Sequence, residues 1–376
     1  MSVTLRPKSR TPRHVDVDMT TTLGSFVAPD PVFTASGCAA AGRELATYND
    51  LSLIGGIVTK SIKLHATAGR ATPRMAETPS GMLNSIGLQG PGVDVFISRD
   101  LAWLEEHDVR AVVSIAGTSV EDYGKLASKL RGKALSMIEV NISCPNVEDR
   151  GQVFACDPVA AADVITAVRR SSTPGVPIFA KLSPDVTDIV AIATACVEAG
   201  ATGLSLINTT LGMVIDTSTM RPLLAGMTGG LSGPAIRPMA LRCVWQVHAA
   251  LPDIPLMGVG GIRTGLDAFQ FILAGASAIQ VGTVIFNDPG APQRVSQELR
   301  EVLVSRGLSN VAEAVGLAHR PRQDPPAPTV SEGPPVTTPP LADRDDRSDA
   351  SNSSDIEAAS FDDDLEVLMF NDAEDA

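Results

Sequence analysis

The run M-I-E-V-N-I-S-C-P-N (137–146) begins as a buried strand and ends on two amides, a thiol and a proline. Apolar and β-branched residues fill its first half, and Pro145 cannot extend a central ladder. Seven other stretches have the same build: P-V-F-T-A-S-G (31–37), G-I-V-T-K-S (56–61), A-V-V-S-I-A-G (111–117), P-I-F-A-K-L-S-P (177–184), G-L-S-L-I-N-T-T (203–210), P-L-M-G-V-G-G-I (255–262) and A-I-Q-V-G-T (278–283). Turn residues close each run, and an Ala/Leu/Glu pattern of helical period follows, clearest at 157–170, 186–199, 235–250, 265–274 and 291–305. Eight strands joined by helices is the count that closes a (β/α)8 (TIM) barrel. An open doubly wound sheet usually has fewer strands and a Gly-rich loop after the first, and neither feature is present. The expected fold is therefore an α/β barrel over 16–318, preceded by a basic disordered arm (1–15) and followed by a Pro-rich, acidic, disordered tail (319–376).

Composition agrees with that layout. The chain has 376 residues, 44% of them hydrophobic and 4% aromatic, so the core is built from Ala, Val, Ile and Leu. The net charge of −13 is concentrated: residues 319–376 carry −11 and the remainder only −2. A nearly neutral body has no basic face for nucleic acid. The tail is too rich in Pro, Ser and Asp to bury a core, although L-E-V-L-M-F (365–370) is an apolar patch in it, readable as inert or as a docking motif. The five cysteines are scattered, with no C-x-x-C pair, no Cys/His cluster and hence no expected metal site. Reduced thiols are the economical reading. No apolar stretch approaches the ~18 residues of a membrane span, and a cytoplasmic protein is expected.

In a barrel, chemistry gathers at the C-terminal ends of the strands. Those ends carry Ser36, Lys60, Ser61, Ser114, Asn141, Cys144, Lys181, Asn208, Thr209, Gly260, Gly261, Gly282 and Thr283. So polar a set makes sense as the lining of one pocket. Glycines after strands seven and eight let backbone N–H groups approach an anion, which points to a phosphate-bearing ligand. G-G-L-S-G-P (229–234) adds Gly233 to that cradle. Lys60 and Lys181 sit inside apolar runs and need anionic partners. Each is either a Schiff-base nucleophile or a fixed charge facing an anionic cofactor or substrate. Asn84, Asn141, Asn146 and Asn208 offer paired amide donors and acceptors suited to a pyrimidine-like ring. Read alone, Cys144 is a metal ligand, half of a disulfide, a packed thiol or a reactive one.

Taken in order, A-S-G-C (35–38), T-K-S (59–61), T-P-R-M-A-E-T-P-S-G-M-L-N-S-I-G-L-Q (72–89), N-I-S-C-P-N (141–146), I-N-T (207–209), G-G-L-S-G-P-A-I-R-P (229–238), G-V-G-G-I (258–262) and V-G-T (281–283) resemble the class 1 dihydroorotate dehydrogenases. The resemblance covers about residues 16–310. The 77–89 block and G-G-L-S-G-P-A-I look most like class 1B, whose catalytic subunit works with NAD through a second subunit. The resemblance implies an FMN-dependent barrel oxidising dihydroorotate to orotate in pyrimidine biosynthesis. It implies Cys144 as the base that takes the C5 proton while the C6 hydride goes to FMN. Lys60, Asn84, Ser85, Ile86, Gly87, Leu88, Asn141, Asn208 and Thr209 match substrate contacts. Ser36, Lys60, Ser61, Asn141, Lys181, Ile207, Gly233, Gly260, Gly261, Gly282 and Thr283 match FMN contacts, and Ser114 stands where the family usually has a flavin-side asparagine. Gly90 likewise replaces a frequent asparagine, and Cys156 sits in an unusual loop. The chain carries no iron–sulfur spacing, and the class 1B resemblance implies a partner with FAD and a [2Fe-2S] cluster, in a homodimer or heterotetramer. Fumarate as acceptor, a dihydropyrimidine dehydrogenase-like enzyme, a Schiff-base lyase using Lys181 and a non-catalytic scaffold are the alternatives.

Overall fold

The computed structural model describes residues 17–143 and 154–321. The described residues all lie in one compact unit. Cys144, Asn146, the arm 1–15 and the tail beyond 321 lie outside the described residues.

All eight expected strands form: Val32–Thr34, Ile57–Val58, Ala111–Ile115, Met137–Asn141, Ile178–Leu182, Gly203–Leu206, Leu256–Val259 and Ala278–Val281. They are numbered one to eight below. Neighbours pair in parallel from strand two through to strand eight and back to strand one. The ring closes where Phe33 bridges Gly56 and the Thr34 N–H donates to the Gly56 carbonyl at 3.3 Å. The five expected helices appear as Pro158–Ser171, Ile189–Glu198, Arg237–Ala250, Gly265–Leu273 and Ala291–Ser305. Side-chain caps start three of them. Asp157 accepts from the Val159 N–H, Asp188 from those of Val190 and Ala191, and Thr264 pairs with Asp267 in a capping box. Each cap is worth about 1 kcal/mol.

Period-two alternation along the strands builds the barrel interior in layers. The lowest layer is Phe33, Val58, Val112, Met137, Phe179, Met257 and Ala278, sealed from below by Leu23 and Ala28 of the hairpin Thr21–Leu23/Phe26–Ala28. Gly203 leaves room for it: a Cβ there would stand 2.2 Å from Cζ of the Phe179 ring. Two residues up, five of the eight strands turn polar inside, at Ser114, Glu139, Lys181, Ser205 and Gln280, all buried. Above those lies the open end.

Two features depart from the regular alternation. Strands one and two are joined by the short turns Leu45–Thr47 and Leu51–Leu53, and Gly42 ahead of them takes φ +90°. A four-stranded antiparallel sheet also roofs the open end, in the order Thr210–Gly212, Gly229–Ser232, Gly81–Asn84, Met75–Thr78. It rests on the small cluster Ala76, Leu83 and Leu224.

Asp30, just before strand one, ties the barrel to the last helix. Its Oδ1 accepts from the Val32 N–H at 2.9 Å and its Oδ2 from the Ser296 hydroxyl at 2.6 Å. Burial outweighs those bonds and pushes the carboxyl up to about 6 from the ordinary 3.8. A folded-state value above the unfolded one means that the folded state holds more protons between those pH values. Stability therefore falls as pH rises through 4 to 6, by about 3 kcal/mol at most. Asp30→Asn is expected to raise the melting temperature at pH 8 and to match the wild type near pH 4. Melting curves across that range check it; equal melting temperatures at pH 8 would overturn it.

Candidate active site

The open end of the barrel and its antiparallel roof enclose a cavity of about 860 Å³, within the range of cofactor and substrate pockets. Ser36, Lys60, Ser61, Asn84, Ser85, Ile86, Gly87, Leu88, Asn141, Lys181, Ile207, Asn208, Thr209, Gly233, Gly260, Gly261, Gly282 and Thr283 all line it. Residues from more than 200 positions of chain thus converge because each follows a barrel strand or belongs to the roof.

One side of the cavity is a continuous chain of small polar groups. The Ser114 and Ser61 hydroxyls share a hydrogen bond of 2.8 Å, and Asn141 Nδ2 donates to Ser61 Oγ at 3.2 Å. Asn141 Oδ1 accepts from the Ser143 hydroxyl at 2.9 Å and, more weakly, from Asn208 Nδ2 at 3.5 Å. Asn208 Nδ2 also donates to Ser143 Oγ at 2.6 Å, and its Oδ1 accepts from the Thr209 N–H at 2.9 Å. Ser114 stands behind Ser61 rather than on the wall, so its part is to hold that hydroxyl. Strand four is steadied from outside, where the Tyr123 hydroxyl donates to the Asn141 carbonyl at 2.7 Å.

The opposite side is a glycine cradle. Gly233 (φ +94°) and Gly261 (φ +71°) approach so closely that a Cβ on Gly261 would stand 2.7 Å from the Gly233 carbonyl oxygen. The helix Arg237–Ala250 starts just beyond Gly233, after the turn Pro234–Ile236. Thr283 Oγ1 donates to Ser232 Oγ at 2.9 Å and completes the rim with hydroxyls. Cavity-lining glycine backbone and two hydroxyls are a donor set suited to phosphate, and Lys181 lies in the same cavity. The residues present fit FMN.

The loop Asn84–Leu88 forms the roof's inner edge. Asn84 Nδ2 donates to the Gly230 carbonyl at 3.3 Å, while Gly87 and Leu88 both take positive φ, +73° and +51°. The segment before it supports this turn: the Arg70 N–H donates to the Ile86 carbonyl at 3.1 Å and Arg70 Nη1 to Ser85 Oγ at 3.0 Å. Gly90 pairs its backbone with Thr67 in both directions, a contact that needs no side chain. Cys156 is exposed, with Sγ 3.9 Å from the Asp185 carbonyl.

Lys60 and Lys181 both reach the cavity. Lys181 Nζ donates to Gln280 Oε1 at 2.8 Å and lies 3.8 Å from Glu139 Oε2. An ammonium beside a carboxylate is the reverse of the desolvated amine that a Schiff base requires, a geometry that favours the fixed-charge reading of Lys181. Cys38 also lines the cavity. Burial pushes its thiol up to about 11, although Lys181 and Lys60 pull the other way. That makes Cys38 a poor nucleophile.

Sequence reasoning missed Arg70, Glu139, Ser143 and Gln280. The signal for Glu139 and Gln280 was present: each is polar inside an apolar run, and Glu139 faces the interior two residues before Asn141. Arg70 and Ser143 become visible only through tertiary contacts.

A family model described as Dihydroorotate dehydrogenase matches residues 19–303. A protein of Geotalea daltonii named "Dihydroorotate dehydrogenase B (NAD(+)), catalytic subunit" is 50% identical over 300 residues, covering 80% of this chain and 97% of its own. Proteins of the same name from Citrifermentans bemidjiense (48% over 300 residues; 80% and 97% covered) and Desulforudis audaxviator (47% over 299 residues; 79% and 96% covered) are similarly close. With the barrel, the two lysines and the asparagine-lined cavity in place, the chain belongs to the dihydroorotate dehydrogenase family.

Proposed function

We propose that this protein oxidises dihydroorotate to orotate in pyrimidine biosynthesis, as the catalytic subunit of an NAD-linked enzyme. The observation that carries the reading is the convergence of Lys60, Asn84, Asn141, Asn208 and the Asn84–Leu88 loop on one cavity beside a glycine cradle.

The amides of Asn84, Asn141 and Asn208 pair with the alternating C=O and N–H groups of a dihydropyrimidine ring and fix its plane. Lys60 holds the negative end of the substrate. Cys144 removes the proton from C5, and the adjoining Asn141–Ser143–Asn208 hydrogen bonds keep the end of strand four in position for it. Gly233, Gly260, Gly261, Gly282 and Thr283 hold the phosphate of FMN, with Ser36, Ser61, Lys181 and Ile207 along the rest of the cofactor. Bound FMN supplies the two-electron acceptor for the hydride that leaves C6. The roof over the cavity excludes water from the reacting carbons.

Electrons then leave through a partner subunit bearing FAD and a [2Fe-2S] cluster, in a heterotetramer built on a homodimer of this chain. Support for a second subunit and for NAD is the shared name of the relatives, "catalytic subunit" of an NAD(+)-using enzyme. FAD, the [2Fe-2S] cluster and the assembly rest on the class 1B resemblance alone. Cys38, Cys156, Cys196 and Cys243 are free, in keeping with a reducing cytoplasm. Among the described residues no helix is long and apolar enough to cross a membrane.

An anaerobic absorbance titration tests the reading. Purified protein loaded with FMN should bleach on adding one equivalent of dihydroorotate. Protein that takes up no FMN, or whose flavin stays oxidised with excess dihydroorotate, would sink it.

A further inference from the structure

Behind Lys181 the barrel holds a carboxylate that the reaction above does not use. Glu139 on strand four is fully buried, and Lys181 and Gln280 are 3% and 1% exposed. Gln280 bridges the two charges. Its Oε1 accepts from Lys181 Nζ at 2.8 Å and its Nε2 donates to Glu139 Oε2 at 2.7 Å, while ammonium and carboxylate stand 3.8 Å apart. The amide has only one orientation here, because its acceptor must face the cation and its donor the anion. A further weak contact from Nε2 to Ser205 Oγ, at 3.4 Å, holds the same face.

As a stability device the arrangement is poor. Glu139 Oε1 is buried without a hydrogen-bond partner among the described residues, and an apolar replacement of a buried ion pair is often neutral or stabilising. Of the three side chains, Lys181 alone reaches the cavity wall. A bare ammonium there would present a full positive charge to a bound ligand, whereas one backed by a carboxylate presents much less.

We propose that Glu139 and Gln280 are positioning residues that set, through Lys181, the positive charge presented to bound FMN, and so hold its reduction potential down. The inference rests on the FMN reading above. Reduced flavin carries more negative charge than oxidised flavin, so an uncompensated Lys181 would stabilise the reduced form.

The test is the midpoint potential of the FMN-loaded protein, followed by absorbance against a reference dye under argon. Glu139→Gln removes the charge and keeps the shape. At fixed poise its reduced-to-oxidised ratio should rise about tenfold, which is about 30 mV for a two-electron couple. The exchanged double variant, Glu139→Gln with Gln280→Glu, keeps the net charge and both hydrogen bonds but brings the carboxylate into contact with Lys181. Its potential should fall below that of the wild type. A Glu139→Gln protein that binds FMN at unchanged potential overturns the inference and leaves the functional reading intact. If that variant does not fold, the exchanged variant decides alone, and a potential equal to or above the wild type overturns the inference. A wild-type protein that takes up no FMN fails at the earlier step instead.

Discussion

Cys144→Ala is expected to slow reduction of bound flavin by dihydroorotate by about 10²- to 10⁴-fold, the usual contribution of a general base. FMN uptake should be unaffected, because Cys144 is assigned no cofactor contact and the phosphate cradle is made by the loops after strands seven and eight together with Gly233. The case for a large effect is chemical. Dihydroorotate loses a proton and a hydride from neighbouring carbons, so a base must stand on the face opposite the flavin. An ordinary thiol, with a pKa near ~8.5, needs little tuning to act close to neutrality. The wild-type rate should therefore climb with pH as the thiolate forms, and the alanine variant should lose that limb. Cys144→Ser should retain part of the rate, with its rise moved to higher pH. Anaerobic stopped-flow absorbance from pH 6 to 9 makes the measurement. Wild-type rates in the alanine variant would remove Cys144 from the reaction.

The second large effect is on the folded state. Lys181→Met fills a similar volume but leaves buried Glu139 without the Lys181 ammonium and Gln280 Oε1 without its donor. Breaking a buried pair from one side costs about 3–5 kcal/mol, a large share of the stability of an ordinary domain. The variant should melt several degrees lower and bind FMN more weakly. Removing both charges, as in Lys181→Met with Glu139→Leu, should recover much of the stability but not the FMN affinity. Calorimetry with a flavin-binding titration separates the two. A single variant as stable as the wild type would show that Glu139 draws its compensation from elsewhere.

These expectations differ in how much of them the sequence carried. The barrel was legible, because each strand is a short β-branched run closed by turn residues, and hydrophobic periodicity survives without any knowledge of neighbours. Strand four shows the point: Met137, Glu139 and Asn141 alternate toward the interior whatever surrounds them. The lining residues were legible for the same reason, since position at a strand's C-terminal end places them at one mouth.

What the sequence by itself determined is thus the ring of strands and the identity of most groups facing its open end, since both follow from local pattern and strand period. Tertiary structure alone decided the roof and the pairings. Gly229–Ser232 is too glycine-rich to read as a strand and becomes one only because Gly81–Asn84 and Thr210–Gly212 flank it. Lys181 finds Gln280 across 99 positions of chain, and Gln280 finds Glu139 across 141. Such contacts depend on barrel closure and register, which no local pattern records. A buried charge announces in sequence that it needs a partner; only the closed barrel decides which one it has.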